Sequence, residues 1–140
     1  MIRRQFIKNS ALTLMGIALL SEESSALTLK KKERIGIQLY SIRAAMKENP
    51  LGTLQKLAEM GYTIVEHANY VNRKFYGYTP AEFKKILEDL GMKMPSGHTV
   101  LSKIHWDETI KDFTDAWKYT IEDAAFMGQK FVISPYLDAA

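Results

Sequence analysis

Four short apolar segments end in polar or titratable side chains: Gln38 and Tyr40, Glu66 and His67, His98, and Ser134 and Tyr136. Glu66 is the strongest chemical candidate. A carboxylate at a strand end could bind hydroxyl groups or place a charge beside a metal; the alternative is a buried glutamate paired with a nearby Arg or Lys. His98 could bind a substrate oxygen or ligate a metal; the alternative is a histidine that closes a loop through backbone bonds. His67 directly follows Glu66 and points to the opposite face, a structural position unless the strand has already ended.

The elements that must position these groups repeat. Helix-like stretches run into Gly61, Gly91 and Gly128, which stand 30 and 37 residues apart. Glycine suits the position just past a helix end because it takes the left-handed conformation without a Cβ clash. Three or four residues after each glycine a strand candidate begins: Ile64-Val65-Glu66, Met94 to His98, and Val132 to Tyr136. A helix–glycine–strand unit at this period indicates a parallel α/β protein. In that class the chemistry sits at the carboxyl ends of the strands.

The first strand runs from Arg34 to Ser41. Ile35, Ile37 and Leu39 alternate with Gly36, Gln38 and Tyr40, a period of two. Asn49-Pro50 then supplies an N-cap with proline in the first helical position, and Leu51, Leu54, Leu57 and Ala58 share one face. Thr79-Pro80-Ala81-Glu82 is a capping box, followed by a buried stripe of Phe83, Ile86, Leu87 and Leu90. A third helix is expected from about Asp107 to Met127, burying Ile110, Phe113, Trp117, Ile121 and Ala124. Pro95 removes a ladder donor from the third strand, so that strand should be short or irregular.

Composition narrows the class. The chain has 140 residues, 46% hydrophobic and 25% charged, as expected for globular material. A formal charge of +3 does not indicate a nucleic-acid partner. There is no cysteine, which excludes disulfides, zinc–thiolate sites and a thiol nucleophile. Residues 1–26 read as an export signal. Arg3-Arg4 precede Gln5-Phe6-Ile7-Lys8, and Ala11 to Leu20 is an apolar run too short to span a bilayer. Ser24-Ser25-Ala26 offers a cleavage site. The segment resembles a twin-arginine signal, which implies the twin-arginine translocase as a transient partner and the bacterial periplasm as destination. Residues 27–33 serve as a linker and residues 34–140 as the α/β region.

Four strands and three helices do not close a barrel, since an eight-unit barrel takes about 250 residues. The alternatives are a small open α/β domain or the first half of a longer barrel, and the second is the expectation here. Ile35-Gly36-Ile37-Gln38-Leu39-Tyr40-Ser41-Ile42-Arg43 resembles the first strand of the sugar phosphate isomerase/epimerase group, the xylose isomerase-like TIM barrels. Gly61 to Glu66 resembles the second strand, which ends in glutamate. Ser96-Gly97-His98 resembles the third, which ends in histidine, and Met127 to Tyr136 the fourth.

The resemblance implies the N-terminal half of a (β/α)8 TIM barrel: a metal-dependent sugar, sugar phosphate or polyol isomerase or epimerase. Such an enzyme moves a proton beside a carbonyl, with a cation polarising the oxygen. It implies a divalent metal (Mn, Mg, Co or Zn) held mostly by residues outside this chain, so the isolated chain is expected to be inactive. Glu66 and His98 are then the catalytic candidates in this half, with no metal-ligand set of its own. Gln38, Tyr40, His67, Tyr70, Trp106 and Tyr136 are the candidates for substrate contact. Tyr70 belongs to Asn69–Tyr78, a loop rich in aromatics with Arg73 and Lys74. Its rings could stack on sugar C–H faces and its bases could hold a phosphate or acid; equally, it could pack on itself. The implied substrate is a small carbohydrate. Neither nucleic acid nor a stable membrane span is expected. A metal-free carbohydrate-binding barrel, a lyase or hydratase, and an endonuclease IV-like relative are the alternatives.

Overall fold

The computed structural model describes residues 35–136. The signal and linker expectations for residues 1–26 and 27–33 lie outside them. Strand β1 (Ile35–Gln38) passes through a 3-10 turn (Leu39–Ile42) into a short helix α1 (Arg43–Glu48), then α2 (Pro50–Glu59). Strand β2 (Tyr62–His67) is followed by a tight hairpin, β3 (Tyr70–Val71) and β4 (Lys74–Phe75), and by α3 (Pro80–Asp89). Strand β5 (Lys93–His98) leads through a 3-10 turn (Lys103–His105) to a second small hairpin, β6 (Trp106–Asp107) and β7 (Asp112–Phe113). Helix α4 (Asp115–Phe126) and strand β8 (Phe131–Ile133) complete the described residues.

The four long-range strands form one sheet in the order β1-β2-β5-β8, and every pairing is parallel. Local chemistry sets the helix boundaries. The Asn49 side chain accepts from the Gly52 N–H at 3.0 Å and Pro50 opens α2. Thr79 and Glu82 cap α3 reciprocally, the Thr79 N–H donating to Glu82 Oε2 at 2.8 Å. Past the helices, Gly61, Gly91 and Gly128 all have positive φ, between 66° and 92°. A side chain there would be strained, which is why the sequence repeat is visible.

One apolar layer lies between sheet and helices. Leu54 and Leu57 of α2, Phe83 and Leu87 of α3, Val65 of β2, Met94 of β5 and Met127 meet in it. Fully burying a side chain the size of Leu54 or Phe83 stabilises by about 1.5–3 kcal/mol.

Of the two alternatives for the third strand, short or irregular, the second is found, and the start of the third helix is corrected. β5 is not short: it spans six residues and pairs on both sides. The irregularity appears in register instead, because three steps from Lys93 to Ser96 face two from Ile64 to Glu66. The Pro95 carbonyl still accepts from the Lys130 N–H at 2.7 Å. The third helix starts at Asp115, not near Asp107. The Asp107 carboxylate accepts from the backbone N–H of Thr109 and Ile110, which closes the β6–β7 turn rather than opening a helix. Ile110 and Phe113 therefore lie outside the helix and are exposed, as is Ile121 within it. The buried face of α4 is Trp117, Thr120, Asp123 and Ala124.

Candidate functional site

Parallel register brings four polar side chains together at the carboxyl ends of the sheet. Gln38 of β1 pairs with Glu66 of β2, and Glu66 pairs with Ser96 of β5. His98 stands two residues beyond Ser96, on the same face of its strand. The Gln38 amide donates to Glu66 Oε1 at 2.8 Å. The Ser96 hydroxyl donates to Glu66 Oε2. His98 Nε2 lies 3.1 Å from Glu66 Oε1 and 2.8 Å from the Gln38 amide nitrogen. About four-fifths of the Glu66 and His98 side chains is covered, since 20% and 22% remain exposed.

The electrostatics follow from these contacts. Burial acts to raise the Glu66 carboxyl. Hydrogen bonds from Ser96 and Gln38, with His98 alongside, outweigh it and hold the group below the usual carboxylate range. Glu66 is thus a fixed negative charge with both oxygens engaged. His98 Nε2 faces a donor, Gln38, and an acceptor, Glu66. With a proton on Nε2 it donates to Glu66; without one it accepts from Gln38. Either state has a partner, as a group that takes up and returns a proton requires.

The remaining sequence candidates are placed elsewhere. His67 lies on the helix side of β2, 2% exposed, with its ring edge against Phe75 at 4.8 Å between centroids. Burial pushes its imidazole down to about 4 although Glu66 acts the other way. Its Nδ1 has no partner among the described residues. Strand alternation turns His67 away from Glu66 and into the core.

Tyr70 is engaged by another element. Its hydroxyl donates to Asp123 Oδ2 of α4 at 2.6 Å. Arg73 grips the same carboxylate with two bonds, 3.0 Å from Nε and 2.6 Å from Nη2, and lies over the Tyr119 ring. Burial and Asp123 push the Tyr70 phenol above its ordinary range. The hairpin is therefore bolted to α4, Arg73 is committed to Asp123, and Phe75 and Tyr76 pack on Phe83. Trp106 sits in the β6–β7 hairpin with its edge on Phe113, and Tyr136 is exposed at the end of the described residues. Among the described residues neither makes a hydrogen bond to the Gln38–Glu66–His98 cluster.

Tyr40 is exposed, with the Arg43 guanidinium 4.6 Å from its ring centre. Both line an open cavity of about 690 Å³ between the start of α1 and the β2–β3 link. Gln38, Glu66 and His98 do not line this cavity; it begins at the residues that follow β1 and β2. Ser96 was absent from the sequence candidates. The available signal was its position, two residues before His98 on the same strand face.

A metal site needs more donors than the cluster offers. Among the described residues no three His, Asp or Glu side chains approach closely enough to hold an ion. One carboxylate and one imidazole do not define a metal site. Among the described residues no helix is long and apolar enough to cross a membrane.

Fold and site together define a parallel α/β protein with a polar cluster at the strand ends, and the fold matches part of a TIM-barrel-like sugar isomerase. Among solved structures, a sugar phosphate isomerase/epimerase from Parabacteroides distasonis ATCC 8503 is similar at TM-score 0.63 and 28% identity, over 77% of this chain and 43% of that one. A second structure of a sugar phosphate isomerase/epimerase from the same strain is similar at TM-score 0.64, over 81% of this chain and 42% of that one. At 22% identity it speaks for the fold alone. The matched part spans less than half the length of either neighbour. No protein-family model and no curated protein matches the chain.

Proposed function

We propose that this chain is the substrate-orienting first half of a xylose isomerase-like barrel, in an exported sugar or sugar phosphate isomerase or epimerase. The observation that carries the reading is the Gln38–Glu66–Ser96–His98 network. Glu66 is the fixed charge, held by Ser96 and Gln38. His98 is the proton carrier, with a partner in each protonation state. Together they suit transfer of a proton beside a carbonyl, where one group must be basic and acidic in turn. Metal dependence is part of the proposal, with the ligands outside the described residues; the ion would polarise the carbonyl. The 28%-identical neighbour, a sugar phosphate isomerase/epimerase, supports the substrate class.

The test is solvent exchange. The full-length protein is incubated in D2O with a panel of aldoses, ketoses and their phosphates, and deuterium is read beside the carbonyl by NMR. Incorporation at one carbon is expected, with loss on His98→Ala. Sugar binding without exchange would instead make this a binding barrel. Export is tested separately by fusing residues 1–26 to a reporter. Secretion should depend on the twin-arginine translocase and stop when Arg3 and Arg4 become Lys; continued export would remove the assignment.

A further inference from the structure

We infer that the cavity beside the cluster is a subsite for an anionic group of the substrate, held by Arg43 and Lys47. The inference rests on the sugar reading above and adds a charge requirement to it. The cavity, about 690 Å³, falls in the range of small-molecule sites, roughly 300–1,000 Å³. One wall is α1 with the turn before it; the other is Ala68, Asn69 and Tyr76. No Asp or Glu lines it.

Arg43 and Lys47 are four residues apart on α1 and share a face. Like charges at that spacing repel and weaken a helix. Among the described residues neither has a carboxylate within 4.0 Å to offset this. Arg73, in contrast, is consumed by Asp123. Arg43 is also pre-positioned. Its Nη1 donates to the Tyr40 carbonyl at 3.2 Å and its guanidinium lies over the Tyr40 ring. A guanidinium has five donors, so most remain for a ligand. A planar fork with a neighbouring ammonium suits a phosphate ester or a carboxylate, which present similar oxygen pairs.

The placement fits a single bound sugar. Tyr40 stands two residues past Gln38, and Ala68 two past Glu66. Two residues of extended chain span at most about 7 Å. The cavity wall thus begins within about 7 Å of the Gln38 and Glu66 Cα atoms, so a substrate held by the cluster can extend a charged far end toward it.

Titration calorimetry on the full-length protein tests this with four probes: glucose, glucose 6-phosphate, glucuronate and inorganic phosphate. The anionic sugars should bind about ten- to a hundredfold tighter than glucose, the scale of charge-assisted hydrogen bonds. Stronger phosphate-ester binding identifies a phosphate as the source of charge; stronger glucuronate binding identifies a carboxylate. The Arg43→Gln/Lys47→Gln variant should bring both down to the level of glucose, and Arg43→Lys/Lys47→Arg should keep a preference. Circular dichroism checks folding. If the double Gln variant unfolds, the Lys47→Gln single variant must show a reduced preference. No preference in the wild type, or one that survives in a folded Gln variant, overturns the subsite. The D2O assay is read beside it. Exchange without anion preference removes the subsite and leaves the isomerase; an Arg43- and Lys47-dependent preference without exchange does the reverse.

Discussion

The His67 imidazole occupies the space that a Cβ on Gly97 would fill. The two residues are register partners on β2 and β5. Gly97 is not at a positive φ, so its requirement is one of space, not of backbone conformation. His67 cannot step aside, because it is 2% exposed and its ring already abuts Phe75. Gly97→Ala should therefore destabilise the fold by about 1–3 kcal/mol, the range for overpacking. Urea unfolding measures it. A neutral result would mean that the ring has room to move.

His67 also predicts an acid sensitivity. Its folded value is about 4, against about 6.5 in an unfolded chain. The unfolded state thus binds the extra proton first as pH falls. The stability from the neutral ring is full above about 6.5 and is lost progressively down to about 4. Across that window the loss approaches about 3 kcal/mol, with a slope near 1.4 kcal/mol per pH unit at most. The Glu66 carboxylate contributes separately, at lower pH, because its folded value is lowered from the ordinary glutamate range. Chemical denaturation at a series of pH values should show the upper slope in the wild type and a flatter one in His67→Gln.

Features fixed by local chemistry were legible in the sequence. The helix-ending glycines announce a left-handed backbone, Asn49 and Thr79 announce their caps, and period-two alternation sets Gln38 apart from Ile37 and Leu39 and Glu66 apart from His67. What was not legible depended on partners distant in the chain or on signals shared by two structures. An aspartate that accepts two successive N–H groups starts helices and closes turns alike, so Asp107 misplaced the third helix. Tyr70 and Arg73 looked available because their partner Asp123 lies about fifty residues on. Ser96 gave no signal by type; only the register that sets it against Glu66 reveals it.

The Asp123 junction should be a stability site, not a catalytic one. Burial acts to raise its carboxyl, but bonds from Arg73 and Tyr70 hold it below its usual range. Asp123→Ala leaves the Tyr70 hydroxyl and the Arg73 guanidinium without their acceptor. The expected loss is about 1–3 kcal/mol, read by thermal melting. Affinity for sugar should stay within about twofold, because the junction lies away from the Glu66–His98 pair. A variant that melts normally but loses sugar binding would place the β3–β4 hairpin in the site after all.

Variants at Glu66, Ser96 and His98 should separate the roles of the three residues. If His98 carries the proton, His98→Ala should cost about ten- to a thousandfold in turnover, the effect of losing one positioned group. Glu66→Gln keeps the shape but removes the charge that receives the His98 Nε2 proton, so its loss should fall in the same range. Ser96→Ala removes only one hydrogen bond to Glu66; about a two- to tenfold loss follows from a bond worth about 0.5–1.5 kcal/mol. Its signature is in the pH profile. Without the Ser96 donor the Glu66 carboxyl rises, so the acid limb of turnover should move to higher pH. Groups that act as one unit are non-additive. Glu66→Gln/Ser96→Ala should therefore be no worse than Glu66→Gln alone. Fully additive losses would show that Ser96 acts on the substrate directly and not through the carboxylate.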